Sequence, residues 1–363
     1  MIPDIATRAS LAIFIGAAVF AASSVIAATL YTETNSASGN QLQVYETLPD
    51  GNPTLSAEVA TGGLGNGAGL GSQGALALSV NHRFVFTVNA GSNDVSSLEI
   101  GPHGLKLVSK VSSGGTTPIS LTTHGDLLYV VNAGGSGNIA GFRILDNGDL
   151  LAIAGSSQPL SSSASGPAQI GFARDGDALI VTEKNTNKIV IYHVTGGLAG
   201  APEVHASHGM TPFGFAIDRR DDLLVSEAFG GKTNASALSS YDVDDGRLSL
   251  LSGSIPSEQS AACWVVTARH GRFAYVTNTG SGTLTGYEVA RDGELTRLTA
   301  NGITGITGGG PTDAATDRDG DTLYVLSPSI AQIVTFQVNR DGSLQQLGAA
   351  SGVAATAAGL VTR

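Results

Sequence analysis

The sequence repeats itself seven times, and this repeat limits the possible folds more than any other feature. One column of the repeat is a short apolar run that ends in a polar residue, as in Phe84–Asn89, Leu127–Asn132 and Phe273–Asn278. Four weaker copies end at Asn35, Glu183, Glu227 and Ser327. A second column is a turn whose seven copies are Asp50-Gly51, His103-Gly104, Asn147-Gly148, Gly196-Gly197, Asp245-Gly246, Asp292-Gly293 and Asp341-Gly342. Turns of this kind are typical of hairpins, because glycine tolerates positive φ.

The spacing of these columns predicts the architecture. A third column, Gly-x-x-Pro followed by a small apolar strand, precedes the first, as from Gly115 to Pro118 and from Gly209 to Pro212. Each repeat then contains four short strands, which we call A to D, and consecutive turns lie about 49 residues apart. Four strands per repeat of this length are typical of a propeller blade, and propellers have about four to eight blades. The sequence therefore predicts an all-β, seven-bladed β-propeller with four-stranded antiparallel blades.

The two ends of the repeat region complement each other. It begins with a B strand at residues 30–35 and finishes with an A-like strand at about residues 354–361. We predict that the C-terminal strand joins the N-terminal blade and closes the ring, which removes open edges. Blades are numbered by their A strands, so blade 1 starts near Gly74 and blade 7 combines both ends. The D–A and B–C connections form the upper face. We expect the functional site on this face, because functional residues are commonly carried by loops on a rigid scaffold.

The N-terminal residues predict export. Arg8 precedes an apolar stretch at residues 11–26, and Val25 and Ala27 fit the small-residue cleavage pattern of a signal peptide. We predict a signal peptide at residues 1–27, a propeller at residues 28–363, and a periplasmic or secreted protein. An uncleaved membrane anchor is the alternative, because residues 9–32 contain no charge.

Composition excludes several classes of partner. The net charge is −11 and no run of Lys or Arg occurs, so nucleic acid and anionic membranes are poor partners. Cys263 is the only cysteine, which excludes an intramolecular disulfide and a Cys-based metal site. Residues 69–74 match G-x-G-x-x-G, but no helical pattern follows them, which argues against a dinucleotide site. We expect a monomer that binds a small molecule and needs no metal or cofactor.

Candidate site residues concentrate on the upper face of blades 3 to 5. Glu183 and Glu227 replace Asn at the ends of two neighbouring B strands, and two carboxylates there would act as an acid/base pair or bind a cation. The alternative is a structural role as rim residues, with Lys184 as an ion-pair partner. The predicted ligand-binding residues are Gln169, Phe213, Trp264, Asn278 and His208. For Trp264 the alternative is core packing.

The repeat resembles the lactonase family of seven-bladed propellers, which includes 6-phosphogluconolactonases and carboxymuconate-cyclising enzymes. The resemblance rests on Phe84–Asn89 with the following Ala90-Gly91-Ser92 and on the Asp-Gly-x-Leu turns, and it covers residues 30–363. It is closest to an exported branch, through residues 211–216 and 261–265. It implies opening or closing of lactones without a required metal. The family's His-x-His element is replaced by residues 166–170 and an expected basic residue by Phe213, while Glu227 matches the family's acidic residue.

Two functions from different classes follow. The first is an exported lactonase-like enzyme that hydrolyses or forms a non-phosphorylated lactone. Export, and the absence of an Arg/Lys cluster in the sequence, argue against a phosphorylated substrate. The second is a non-catalytic propeller that binds a small ligand, glycan or protein on its upper face. The missing His-x-His element favours the second function, and the neighbouring glutamates favour the first.

Overall fold

The protein is a seven-bladed β-propeller, as predicted. The computed structural model describes residues 28–47, 51–244 and 246–363, so the predicted signal peptide at residues 1–27 lies outside the described residues. Seven separate antiparallel sheets of four strands, with strand D split in three of them, are arranged in a ring. Within the described part of the chain, no helix is long and apolar enough to cross a membrane.

The strands follow the chain in the order A to D within each blade. Blade 7 contributes β1 (Ala28–Glu33), β2 (Gln41–Thr47) and β3 (Pro53–Ala60), and blade 1 contributes β4 (Leu76–Leu78), β5 (Phe84–Asn89), β6 (Asp94–Gly101) and β7 (Gly104–Ser112). Blade 2 has β8 (Pro118–His124), β9 (Leu127–Asn132), β10 (Asn138–Ile144), β11 (Leu150–Ala152) and β12 (Gln158–Pro159). Blade 3 has β13 (Pro167–Phe172), β14 (Ala178–Glu183), β15 (Lys188–Thr195), β16 (Leu198–Ala199) and β17 (Glu203–Ala206).

The remaining blades have the same order. Blade 4 has β18 (Pro212–Ile217), β19 (Asp222–Glu227), β20 (Ala237–Asp244) and β21 (Arg247–Pro256), and blade 5 has β22 (Ala262–Ala268), β23 (Phe273–Asn278), β24 (Thr283–Val289), β25 (Leu295–Arg297) and β26 (Gly305–Ile306). Blade 6 has β27 (Asp313–Thr316), β28 (Thr322–Ser327), β29 (Gln332–Val338) and β30 (Leu344–Ser351), and β31 (Ala358–Thr362) returns to blade 7. Three short 3₁₀ turns lie at Phe229–Gly231, Arg269–Gly271 and Pro328–Ile330.

The C-terminal strand closes the ring, which confirms the prediction. Strand β31 pairs antiparallel with β1, with Tyr31 opposite Val361, and so becomes the innermost strand of blade 7. It starts at Ala358 rather than near residue 354, because residues 354–357 form a turn closed by the Ala357 N–H and the Ala354 carbonyl oxygen (3.0 Å). Strand β1 ends at Glu33, so the polar residue that ends this strand is Glu33 and not Asn35.

The core lies between neighbouring blades, and the glycine turns are part of it. Gly148 and Gly342 have φ of +87° and +83°, and a Cβ there would lie 2.3 Å and 2.7 Å from the rings of Phe84 and Phe273 in the preceding blades. The buried Tyr275 hydroxyl donates to the Gly342 carbonyl oxygen at 2.7 Å. The turn column is therefore glycine because of its backbone conformation and because the preceding blade packs directly on it.

Candidate functional site

Seven polar side chains end the seven B strands, and all are buried. They are Glu33, Asn89, Asn132, Glu183, Glu227, Asn278 and Ser327. The amides donate to nearby acceptors, as from Asn132 Nδ2 to the carbonyl oxygen of Ser113 in the preceding D–A connection (3.2 Å) and from Asn278 Nδ2 to Thr285 Oγ1 of its own blade (2.9 Å). A carboxylate can only accept. Glu therefore occurs in this column where the facing groups are N–H and O–H donors.

Glu227 lies inside blade 4 with both carboxylate oxygens bound. Oε1 accepts from the Gly209 backbone N–H at 2.8 Å and from the Ser239 hydroxyl at 2.5 Å. Oε2 accepts from the Ser254 hydroxyl at 2.6 Å. The residue is 0 % exposed. The carboxylate thus ties the D–A connection to strands C and D, and its predicted catalytic role stays a prediction.

Glu183 has a similar environment in blade 3. Its carboxylate accepts from the Ser161 backbone N–H (2.8 Å), the Ser161 hydroxyl and the Thr186 hydroxyl (2.7 Å). Among the described residues it forms no ion pair with Lys184, whose amine donates instead to the Gly71 carbonyl oxygen at 2.5 Å. Both glutamates are enclosed rather than solvated, and no described hydrogen bond joins them. The acid/base pairing of Glu183 with Glu227 stays a prediction.

An aromatic and cationic cluster lies at the upper mouth of the channel. The rings of Phe213 and Trp264 meet edge to face with centroids 5.4 Å apart, and the Lys184 amine lies 4.6 Å from the centroid of the Phe213 ring. Trp264 is 4 % exposed, and its Nε1–H donates to the Ser72 carbonyl oxygen (2.7 Å). Burial lowers the pKa of Lys184 to about 8, opposed by the neighbouring Cys263 thiol. The structure therefore places three groups of different chemistry together in the predicted sector.

Three other predicted ligand residues make structural contacts. The Gln169 amide bridges blades 3 and 4, because it donates to the Phe215 carbonyl oxygen (3.0 Å) and accepts from the Phe215 N–H (2.6 Å). Asn278 is buried in blade 5. His208 borders a separate cavity of about 410 Å³, and its backbone N–H donates to the Tyr241 hydroxyl (2.8 Å). Among the described residues, no hydrogen bond joins any of these three side chains to Phe213 or Trp264.

Residues 69–74, the Gly-rich segment, extend across the upper mouth before entering strand β4. The Gln73 amide both donates to and accepts from the backbone of Val265 in blade 5, at 2.9 Å and 3.1 Å. Ser72 Oγ donates to the Ile119 carbonyl oxygen in blade 2 (2.8 Å), and the Gln73 N–H donates to the Ala168 carbonyl oxygen in blade 3 (3.1 Å). Glycines 69, 71 and 74 thus belong to a segment that contacts three blades. The element that follows them is strand β4, whereas a dinucleotide site requires a helix at this place.

The lower mouth contains an arginine cluster that the sequence analysis missed. Arg174, Arg219 and Arg318 line one cavity, although they lie far apart in the chain. The expectation that the protein lacks an Arg/Lys cluster is therefore wrong, because folding brings separate A–B turns to one mouth. A signal existed, since blades 3 to 6 each place an Arg one or two residues after strand A, the additional one being Arg269. In the described ranges, no three His, Cys, Asp or Glu residues are placed to hold a metal ion.

Comparison with known proteins supports the family resemblance. Residues 247–359 match the family model described as lactonase, 7-bladed beta-propeller, which confirms the resemblance to that family. No curated protein matches the sequence. A periplasmic gluconolactonase from Pseudomonas aeruginosa is similar at 17 % identity and a TM-score of 0.71, over 92 % of this chain and 98 % of that chain. A proposed 6-phosphogluconolactonase from Bacteroides fragilis is similar at 18 % identity and a TM-score of 0.70, over 93 % and 98 %. At such identities the likeness shows the shared fold.

Proposed function

We propose that this chain, a seven-bladed propeller that resembles the lactonases, hydrolyses small uncharged lactones outside the cytoplasm. The observation that carries the proposal is the Lys184 amine above the Phe213 ring, with Trp264 beside it. Export is supported by the signal-peptide pattern of residues 1–27. A similar fold occurs in a protein whose name describes it as periplasmic.

Lys184 supplies the acid and base that lactone opening needs. In its neutral form the amine removes a proton from water as the water oxygen bonds to the lactone carbonyl carbon. The resulting ammonium then gives that proton to the ring oxygen as the carbon–oxygen bond of the ring breaks, and a hydroxy acid leaves. A pKa of about 8 makes both forms available near neutral pH. The partly buried ring of Phe213 supplies an apolar surface for the substrate ring.

The charge distribution favours an unphosphorylated substrate at this site. Arg174, Arg219 and Arg318 lie in A–B turns at the lower mouth. Lys184 follows strand B of blade 3 and therefore lies on the upper face. A substrate whose phosphate group is held by the arginines would have its lactone ring near the lower mouth, at the opposite end of the channel from Lys184. The upper cluster therefore suits a ring without a phosphate.

The test compares Lys184→Met with Lys232→Met, which removes an exposed lysine from the B–C loop of blade 4. On a panel of uncharged lactones, we expect Lys184→Met to lower kcat/KM about a hundredfold, the usual scale for loss of a general base. Lys232→Met should have the same kcat/KM as the wild type. In the wild type, activity should rise with pH through an apparent pKa of about 8. Unchanged turnover in Lys184→Met would remove Lys184 from the mechanism.

Glu227→Gln tests the role that the family resemblance implies. The substitution replaces one acceptor oxygen of Glu227 with an amide donor, so one of its three bound donors loses its acceptor. We therefore expect a lower melting temperature, with kcat/KM falling less than in Lys184→Met. A hundredfold loss of turnover at an unchanged melting temperature would assign the base to Glu227 instead.

A non-catalytic ligand-binding propeller is the second candidate. It is favoured by residues 72–73, whose hydrogen bonds to blades 2, 3 and 5 cover the upper mouth. This function predicts no turnover of any lactone in the panel. It also predicts that the wild type binds a small ligand or glycan and that Phe213→Ala abolishes this binding.

A further inference from the structure

The lower mouth of the channel opens into cavities large enough for a small molecule. One cavity of about 350 Å³ is bordered by the A–B turns of blades 3 to 6, with Thr267 and Thr316 from the ends of A strands. A second cavity of about 600 Å³ shares Thr316, Asp317 and Arg318 with the first and extends to blades 7 and 1. Volumes of this order are typical of small-molecule sites.

Four consecutive blades place an arginine near the start of the turn that borders this mouth. The four are Arg174, Arg219, Arg269 and Arg318. Arg269 is the first residue after its strand A, and each of the others is the second. The turns are closed by backbone hydrogen bonds such as that from the Gly320 N–H to the Asp317 carbonyl oxygen (3.1 Å). Arg269 is used within the fold, because its guanidinium forms an ion pair with Asp321 at 2.8 Å. The other three line the cavity.

These three guanidinium groups have few partners. Within residues 28–47, 51–244 and 246–363, the side chains of Arg219 and Arg318 form no hydrogen bond or ion pair, and both residues are exposed. The Arg174 guanidinium donates to the Arg219 carbonyl oxygen, and its charge lies near the Asp221 carboxyl, where it opposes the rise of the pKa that burial causes. Arginine donates five hydrogen bonds and holds carboxylates through two parallel ones. The cavity is therefore lined by positively charged guanidinium N–H donors that lack partners among the described residues.

Most of the carboxylates that line the cavity already have hydrogen-bond or ion-pair partners within the protein. Asp218 forms an ion pair with Arg220 at 2.5 Å and accepts from the Arg220 and Asp222 N–H groups (2.7 Å and 3.1 Å). Asp317 Oδ1 accepts from two backbone N–H groups at 2.8 Å and 3.1 Å, which holds its own turn. Asp319 is exposed and has no described partner. Of the three carboxylates that line the cavity, Asp319 is thus the one without a described partner, in a chain whose net charge is −11.

We infer that the lower mouth binds a small organic dianion through Arg174, Arg219 and Arg318. Arg174 and Arg219 come from blades 3 and 4 and Arg318 from blade 6, so the positive groups lie at two ends of an arc of four blades. A ligand with an oxyanion group at each end, such as a dicarboxylate, matches this arrangement. His270 in blade 5 lines the cavity between them. This site lies on the face opposite Lys184, so the failure of either proposal leaves the other standing.

The experiment is calorimetric titration of the full chain with glutarate, with acetate and inorganic phosphate as single-group probes. The variants are Arg219→Met and Arg318→Met. Arg291→Met is the matched control, since it removes an exposed arginine of the lower face outside the cavity. Asp319→Asn removes the uncommitted carboxylate. Circular dichroism verifies that each variant is folded.

We expect saturable glutarate binding that weakens about tenfold in Arg219→Met and in Arg318→Met, the scale of a charge-assisted hydrogen bond. Arg291→Met should bind as the wild type does, and Asp319→Asn should bind more tightly. Acetate and phosphate should bind more weakly than glutarate. The proposal is overturned if glutarate does not bind, if either single-group probe binds as tightly, or if Arg291→Met weakens binding as much as the cavity variants do.

Discussion

Two buried acids predict that the protein becomes less stable as the pH rises from 5 to 7. Glu33 and Asp313 are fully buried, and burial raises the pKa of each carboxyl to about 8. Hydrogen bonds from Thr87 and Asn40 oppose the shift at Glu33, and backbone amides oppose it at Asp313. One oxygen of each, Oε1 and Oδ2, has no hydrogen-bond partner among the described residues. Both groups therefore keep their proton in the folded protein at neutral pH.

The size of the effect follows from proton linkage. In the unfolded chain these groups ionise near pKa 4.5 and 3.8, so between pH 5 and 7 unfolding releases about one proton from each. Each proton lowers the free energy of unfolding by about 1.4 kcal/mol per pH unit. Over two pH units the two groups together account for about 5 kcal/mol. At roughly 2.1 cal/mol/K of unfolding entropy per residue, this loss lowers the Tm by about 7 °C.

The assay is urea unfolding at pH 5, 6 and 7, followed by fluorescence of Trp264, the only tryptophan. Asp313→Asn and Glu33→Gln should each remove about half of the pH dependence, because an amide does not titrate in this range. Asp146→Asn, at an exposed position, is the control and should leave the slope unchanged. The window avoids Lys184, whose pKa of about 8 affects stability only at higher pH. A free energy of unfolding that is constant or rises between pH 5 and 7 would refute the argument.

Three further predictions concern the ring and its upper mouth. Deletion of residues 358–363 removes the innermost strand of blade 7, so we expect a lower Tm and a less cooperative melt by calorimetry; an unchanged Tm would contradict ring closure. Gln73→Ala leaves the buried backbone of Val265 without two bonds and should cost about 1–3 kcal/mol in urea unfolding, whereas the exposed Gln346→Ala should cost nothing. Cys263 is buried and its pKa is raised to about 11 by burial, so an aromatic disulfide reagent should label it only in denaturant; rapid labelling of the native protein would contradict this.

The architecture could be predicted because each repeat carries its own local signals. Phe84 recurs as an apolar residue at the start of strand B, and Gly148 recurs in a turn that needs positive φ. Such signals depend on neighbours in the chain, so a single sequence displays them. The end of strand B in blade 7 was misplaced at Asn35 because its copy is weak. The register of β1 against β2 and β31 decides that Glu33 holds this position.

The candidate site could be predicted only as a sector. The polarity of the strands placed Phe213 and Trp264 at one mouth, and the structure joins them. Neither the place of Lys184 above the Phe213 ring nor the crossing of the mouth by Gln73 could be predicted, because both depend on a long connection that folds over distant blades. The enclosure of Glu227 was also hidden, since its partners include Gly209 and Ser254, which are remote in the sequence.

The sequence by itself determined that this chain forms seven four-stranded blades and that its last strand completes the N-terminal blade, blade 7. Only the tertiary structure decided which mouth of the channel is covered and which is open, and where the arginines of blades 3, 4 and 6 meet. The physical reason is the difference between the two kinds of interaction. Strand and turn formation follow from short-range conformational preferences, whereas the two mouths are assembled from residues far apart in the chain, such as Gln73 and Val265, which are 192 residues apart. Their burial and charge exist only once the ring has closed.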